Sequence, residues 1–319
     1  MDHYDILIKH ARLRHFPDEL MDISISGGKI NTLSGTIVGQ AQTEIDARGM
    51  LVTESFVNPH IHLCKVYTAQ MLDEQARKYY HGAGMGKAMS AIELATRVKD
   101  TYAEAWIIKN VRKAVAQAAL YGCTHLRAFA DVDPKARLEG IKALIKARQE
   151  FKGIVEIQVV AFAQDGLLRE PGAQELMVQA MELGADVAGG IPWIEYTEAD
   201  MARHIEIIFN LAIKYDKDVS MLVDDAGDPG LRTLERMAQE TIQRGWQGRA
   251  LAHHARAYGA ISHPLLAKNL SVVEARRHGR GFRSTHRAAP RPCPRDAGRG
   301  QPGLPGPGRH LRRLLPVWA

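Results

Sequence analysis

The chain has 319 residues, 45% hydrophobic and 24% charged, which is enough apolar material for one large domain or two ordinary ones. No run approaches the roughly 18 uninterrupted apolar residues of a membrane span, and the opening MDHYDILIKH lacks the basic-then-apolar layout of a secretory leader, so a cytoplasmic protein is expected. The net charge of +6 is uneven: residues 271–319 hold 11 Arg, no Lys, one Glu and one Asp, whereas residues 1–270 are slightly acidic.

Taken in chain order, YDILIK (4–9), MDISISGGKINTL (21–33) and EIDARGMLVTESFV (44–57) read as short strands separated by glycine-containing turns. They define a small β unit over residues 1–52, one part of a β-sandwich. From Phe56 the pattern changes to apolar runs alternating with amphipathic helical stretches. SFVNPHIHL precedes a helix at 90–120, THLRAFADV a helix at 134–149, and GIVEIQVVAFA a helix at 171–183. ADVAGGIPWI precedes a helix at 198–215, DVSMLVDD a helix at 229–244, and RALAHHA closes the series. Apolar strands separated by crossover helices give a parallel α/β fold. A doubly wound sheet would carry a glycine-rich phosphate loop after its first strand; none is present, and a TIM-type (β/α)8 barrel over residues 53–275, incomplete at about six units, is the expected architecture.

After Val273 the periodicity stops. Residues 271–319 contain seven Pro and seven Gly, and lysine, frequent earlier, vanishes. Residues 276–319 are expected to lack regular structure, and this Arg/Pro/Gly-rich composition reads as out-of-frame translation or a gene-level scar, with a natural basic tail as the alternative. A nucleic-acid-binding arm is disfavoured, because the segment has neither interleaved aromatics nor a binding module. An unclosed barrel would expose the edges of strands one and six, so poor soluble expression or homo-oligomer formation is expected.

The candidate chemistry lies at the C-terminal ends of the strands, where barrel enzymes carry it. His60 and His62 stand two residues apart, so on a strand both imidazoles project from one face and can reach one metal ion; two surface histidines are the competing explanation. Later strand ends offer Arg127, Asp131 and Asp133, then Gln164 and Asp165, Trp193 and Glu195, Asp224 and Asp225, and His253 and His254. Each has a structural explanation of its own; Asp133 in DVDP, for example, reads as a helix cap. Six such clusters at one barrel end are harder to explain separately. Cys64, Cys123 and Cys293 are widely spaced and read as free thiols, Cys64 as a small buried apolar residue.

The succession GMLVTESFVNPHIHL, THLRAFADVDP, EIQVVAFAQDGLL, LGADVAGGIPWIEYT, KYDKDVSMLVDDAGDP and GRALAHHARA resembles the cytosine deaminase and N-isopropylammelide hydrolase branch of the amidohydrolase superfamily, from residue 1 to about 275. The resemblance implies a (β/α)8 barrel, one divalent Fe or Zn ion, and hydrolysis of a non-peptide C–N bond in a small cyclic, nitrogen-rich substrate. It places His60 and His62 as metal ligands, Gln164 and Trp193 against the substrate, Asp225 as proton shuttle and His254 beside the attacking water. This chain departs from the pattern at Leu222, which takes the place of a histidine ligand, at Phe129, Ala130, Trp193 and Cys64, and in lacking a counterpart of the strand-eight aspartate. Two of four expected ligands are therefore missing and metal affinity is expected to be poor. Two readings follow: a metal-dependent hydrolase, and a non-catalytic remnant that keeps the pocket without the ion.

Overall fold

The computed structural model describes residues 2–71, 98–226, 228–262, 264 and 283–284, all within the compact unit Met1–His286. The first five strands are β1 (His3–Leu13), β2 (Phe16–Ser26), β3 (Lys29–Ser34), β4 (Gln40–Asp46) and β5 (Leu51–Val52). They form one sheet in the order β3-β2-β1-β4, with β5 also pairing β1. The β2–β3 reversal turns on Gly27 and Gly28, at φ +59° and +73°, a backbone region that glycine enters without steric cost. The first strand runs four residues past its expected end because β2 starts at Phe16 and pairs along it; FPDEL is fully exposed and shows no alternation to read.

The second sheet is wholly parallel. It contains β6 (Phe56–Ile61), β7 (Cys123–Asp131), β8 (Glu156–Ala163), β9 (Val187–Gly190), β10 (Asp218–Val223), β11 (Ala250–His254) and the two-residue β12 (Arg283–Ser284), ordered by sequence. Five helices among the described residues accompany it: α1 (Glu104–Leu120), α2 (Glu139–Glu150), α3 (Ala173–Glu182), α4 (Glu198–Lys214) and α5 (Thr233–Gln243). Each strand splits its residues between two faces. Leu126, Ala128, Ile157, Val159, Val219 and Met221 pack with helix residues such as Val111, Leu144 and Ile208. Their alternates Phe129, Val160, Phe162, Val187 and Leu222 form a second cluster without helices. The sequence showed this as continuous apolar runs, as strands buried on both faces must.

That second cluster is the inside of a barrel. A flat sheet would separate β6 from β11 by five strand spacings, about 24 Å. Instead the rings of His60 and His253 lie 4.6 Å apart, so the sheet has curled until its first and sixth strands face each other across the interior. The (β/α) architecture expected from the alternation is present, with β12 as a short seventh strand beside β11.

Two helix starts differ from expectation, and the first helix is interrupted. Its expected start at 90 lies outside the described residues; Val98 and Lys99 are helical, and Ala103, extended at φ −145° and ψ 134°, precedes α1 at Glu104. The Asp133 carboxylate takes the backbone N–H groups of Lys135 and Ala136, and Arg137 is left-handed, so α2 begins only at Glu139. Asp224 likewise takes the backbone N–H groups of Thr233 and Leu234, which fixes the start of α5 at Thr233 rather than 229.

Two glycines in β9 let the barrel wall close. A Cβ on Gly189 would come within 2.8 Å of the Ser220 carbonyl oxygen, and one on Gly190 within 2.0 Å of Nε2 of the fully buried His204 on α4. Gly190→Ala is expected to destabilise the fold by about 2 kcal/mol through overpacking, measured by urea denaturation, and His204→Ala in the same chain should recover part of the loss.

Candidate active site at the barrel mouth

His60 is the next-to-last residue of β6 and His62 follows the strand, so the period-two geometry read from the sequence turns both imidazoles inward. Their Nε2 atoms are 3.2 Å apart. Phe129 from β7 lies against both rings, with centroids 4.4 Å from His60 and 5.2 Å from His62, and Phe162 from β8 is 5.3 Å from His62. Burial, reinforced by the other's charge and by His254, pushes His60 down to about 3; burial and the nearby Lys65 push His62 down to about 4. Both are neutral imidazoles at physiological pH.

Beside them is a buried charge cluster. Lys65, one turn past His62, donates to both oxygens of Asp131 at 3.1 Å and to Oε1 of Gln164 at 2.7 Å. Lys99, whose side chain is 1% exposed, reaches Asp133 at 2.9 Å, Asp165 at 2.8 Å and Asp131 at 3.4 Å. Burial alone would raise Asp131, but Lys65, Lys99 and His62 outweigh it and hold the carboxyl well below its usual range. His62 Nδ1 stands 3.8 Å from Asp131 Oδ1. Neither lysine was singled out from sequence, although Lys65 adjoins the His-x-His pair; Lys99 sits in an amphipathic stretch, RVKD, that gives no sign of burial.

The remaining strand ends separate into struts and site. Glu195 is buried and accepts from the backbone N–H groups of Leu167, Leu168 and Arg169 and pairs with His204 at 2.7 Å, so it holds the loop that follows Gln164. Asp224 binds the start of α5, whereas Asp133, expected to cap a helix, holds the turn at Lys135 and Ala136 ahead of α2. Arg127, expected at a strand end, is the middle residue of β7 and donates to Gln158 Oε1 at 2.6 Å inside the barrel. His253 Nε2 is 2.7 Å from Ser220 Oγ. Trp193 packs into the inner cluster with Phe129 and Leu222, and its buried indole N–H meets no acceptor.

Asp225 and His254 come together with the histidine pair. His254 Nδ1 lies 2.5 Å from Asp225 Oδ2, its ring is 5.0 Å from that of His60, and Arg256 Nε meets Asp225 Oδ1. Burial raises Asp225, and His254 with Arg256 more than offsets this, leaving the carboxyl below its ordinary value. His60, His62, Asp225 and His254 therefore share one rim. A separate cavity of about 360 Å³, between α4 and α5 and lined by Met201, Ile205, Leu231 and Arg236, contains none of them.

A tetrahedral ion bound at about 2.05 Å by two nitrogens would hold them roughly 3.4 Å apart, so the two Nε2 atoms are suitably placed for one cation. The further donors are not. Among the described residues no group of three or more His, Cys, Asp or Glu side chains is arranged to hold a metal ion. Leu222, beside His253 in the β10–β11 register, offers only methyl groups. The described residues do not fit an ion with three or four protein ligands.

Residues 43–270 match the amidohydrolase family. The chain is 31% identical over 255 residues to N-isopropylammelide isopropyl amidohydrolase of Pseudomonas sp. strain ADP, covering 79% of this chain and 61% of that protein. The structure resembles 5-methylcytosine deaminase of Klebsiella pneumoniae liganded with phosphonocytosine, with 30% identity, a TM-score of 0.74, and coverage of 84% of this chain and 64% of the other. It also resembles N-isopropylammelide isopropylaminohydrolase of Burkholderia multivorans, with 26% identity, a TM-score of 0.70, and coverage of 88% and 67%. The chain thus spans about three fifths of the length of its curated relative. No described helix is long and apolar enough to cross a membrane.

Proposed function

Because this chain belongs to the amidohydrolase family, we propose that its barrel mouth binds a small nitrogen-rich ring and hydrolyses a non-peptide C–N bond of it. The observation that carries this reading is the convergence of His254 and Asp225 with the His60–His62 pair on one rim, although they come from three separate strand ends. The N-isopropylammelide and 5-methylcytosine activities of its relatives make oxo-substituted triazines and pyrimidines the substrates to test.

The roles follow from what each group can donate or accept. Lysine Nζ bound to a carboxylate is a donor, so the Gln164 amide atom it meets is the oxygen, and the amide Nε2 is the end left to offer a ring. Trp193 offers an unmet indole N–H. Two donors favour a ring edge that bears acceptors, such as a carbonyl oxygen. Asp225 orients His254 through Nδ1, and the pair takes a proton from water and returns it to the leaving nitrogen. His60 and His62, the metal positions of the family pattern, flank the reacting carbon as neutral imidazoles.

A second reading, a ring-binding protein without turnover, is favoured by one observation: Phe129, Phe162 and Leu222 occupy the space around the imidazoles where further ligands would be needed. Purified full chain incubated with N-isopropylammelide or 5-methylcytosine separates the two. Release of isopropylamine or ammonia supports hydrolysis. Binding by Trp fluorescence without release supports the second reading, and absence of both binding and release removes both. Where a ring does bind, Lys65→Met is expected to weaken it about tenfold, seen as KM or Kd, because the amide of Gln164 is then free to turn its oxygen toward the ring.

A further inference from the structure

We infer that His60 and His62 satisfy each other in place of a cation, so that this chain carries no stoichiometric divalent ion at its barrel mouth. The inference concerns the chain's own donors and stands whether or not a bound ring is hydrolysed.

Two neutral imidazoles with Nε2 atoms 3.2 Å apart form a hydrogen bond if one is protonated there and the other is not. The surroundings select the tautomers. With His60 donating through Nε2–H, His62 accepts at Nε2 and carries its proton on Nδ1, which faces Asp131 at 3.8 Å. The Nε2 lone pair of His62 is then used and His60 presents an N–H there, so neither Nε2 is open to a cation while the bond holds; the Nδ1 atoms of both rings make no hydrogen bond.

Among the described residues, the carboxylates, His253 and Cys64 near the pair already have partners. Asp131 is taken by Lys65 and Lys99. Asp225 holds His254 and Arg256, and Asp224 binds the first turn of α5. His253 directs Nε2 at Ser220, and the Cys64 sulfur accepts from the Asp131 backbone N–H at 3.3 Å. The space next to the two rings belongs to Phe129, which touches both. An ion entering here would find two protein ligands where three or four are usual, and it would have to break their mutual bond.

The test is elemental analysis of the full chain, expressed with zinc and iron supplied and purified without chelator. Less than about 0.1 equivalent of Zn, Fe and Mn per chain is expected, and a long-range ¹H–¹⁵N spectrum should show one Nε2–H and one Nδ1–H imidazole, unchanged by EDTA. Phe129→His and, separately, Leu222→His each add an inward imidazole, and at least one is expected to bind Zn²⁺ ten or more times tighter than the parent. About one equivalent of ion in the parent chain that is lost in His62→Ala overturns the inference. So would two imidazoles that both change tautomer when EDTA is added. If hydrolysis is absent while the parent is metal-free, the proposed activity fails and this inference stands; hydrolysis abolished by EDTA would reverse that.

Discussion

Replacing Lys99 by methionine is expected to lower the melting temperature of the chain by about 10 °C, a larger loss than any other single substitution in the barrel wall. Lys99 Nζ is within 3.4 Å of three carboxylates, those of Asp131, Asp133 and Asp165, and its side chain is 1% exposed. Methionine fills a similar volume but leaves those carboxylates with Lys65 as their only nearby ammonium among the described residues. Removing one partner of a buried ion cluster costs about 3–5 kcal/mol, because the remaining charges stay buried without compensation. Burial alone would push the Lys99 ammonium down, and the three carboxylates outweigh it and raise it. A lysine raised in the folded state contributes stability that is fully present below its unfolded pKa, about 10.4, and is lost as pH rises through the folded value. The parent should therefore keep its advantage over Lys99→Met across neutral pH and surrender it only in strong alkali. Thermal melts of both chains at pH 7 and above pH 11 check the size and the direction; equal melting temperatures at pH 7 would show that water, rather than Lys99, compensates the cluster. A triple change of Lys99→Met with Asp133→Asn and Asp165→Asn should recover part of the loss, which distinguishes uncompensated charge from poor packing.

The sequence carried the barrel because its strands are buried on both faces. Runs such as THLRAFADV and EIQVVAFA are apolar on both faces over most of their length, broken on the inner face by Arg127 and Gln158, and the inner and outer clusters of the structure divide their apolar residues by alternation. Helix starts were less legible, because they depend on which carboxylate binds which backbone N–H. Asp224 reaches nine residues ahead to Thr233, a contact that no local pattern shows. At the site, the spacing of His60 and His62 allowed both imidazoles to face one side but left two surface histidines as the competing explanation; the structure brings their Nε2 atoms to 3.2 Å. The partnership of Asp225 with His254 joins two strands, and only the resemblance to a family suggested it. Lys65 and Lys99 escaped notice because a lysine in an amphipathic stretch ordinarily faces water, and the three carboxylates around Lys99 come from the ends of two later strands, β7 and β8. Glu195 belonged to the same polar rim by position, yet its acceptors are filled by a neighbouring loop and by His204, so position at a strand end does not by itself separate chemistry from support.

For the reaction proposed at the rim, His254→Gln is expected to reduce kcat by a factor of about 10²–10³ with KM little changed, and Asp225→Asn by a comparable factor. Glutamine keeps a hydrogen-bonding side chain but cannot carry a proton at neutral pH. Asparagine keeps the shape of Asp225 but removes the charge that balances His254 when it takes a proton from water, and it leaves Arg256 without its carboxylate. The two substitutions act on one unit, so the double variant should be little worse than either single one. Asp225 is held below the ordinary carboxylate range by His254 and Arg256 and so stays ionised through neutral pH. Any fall in rate just below neutral pH therefore comes from a group other than Asp225. Lys65→Met should leave kcat near the parent value while weakening the ring, the opposite pattern. Should His254→Gln retain full kcat with either substrate, the proton-transfer step lies elsewhere on the rim, and the assignment of this pair is wrong even though the fold and the ring pocket remain.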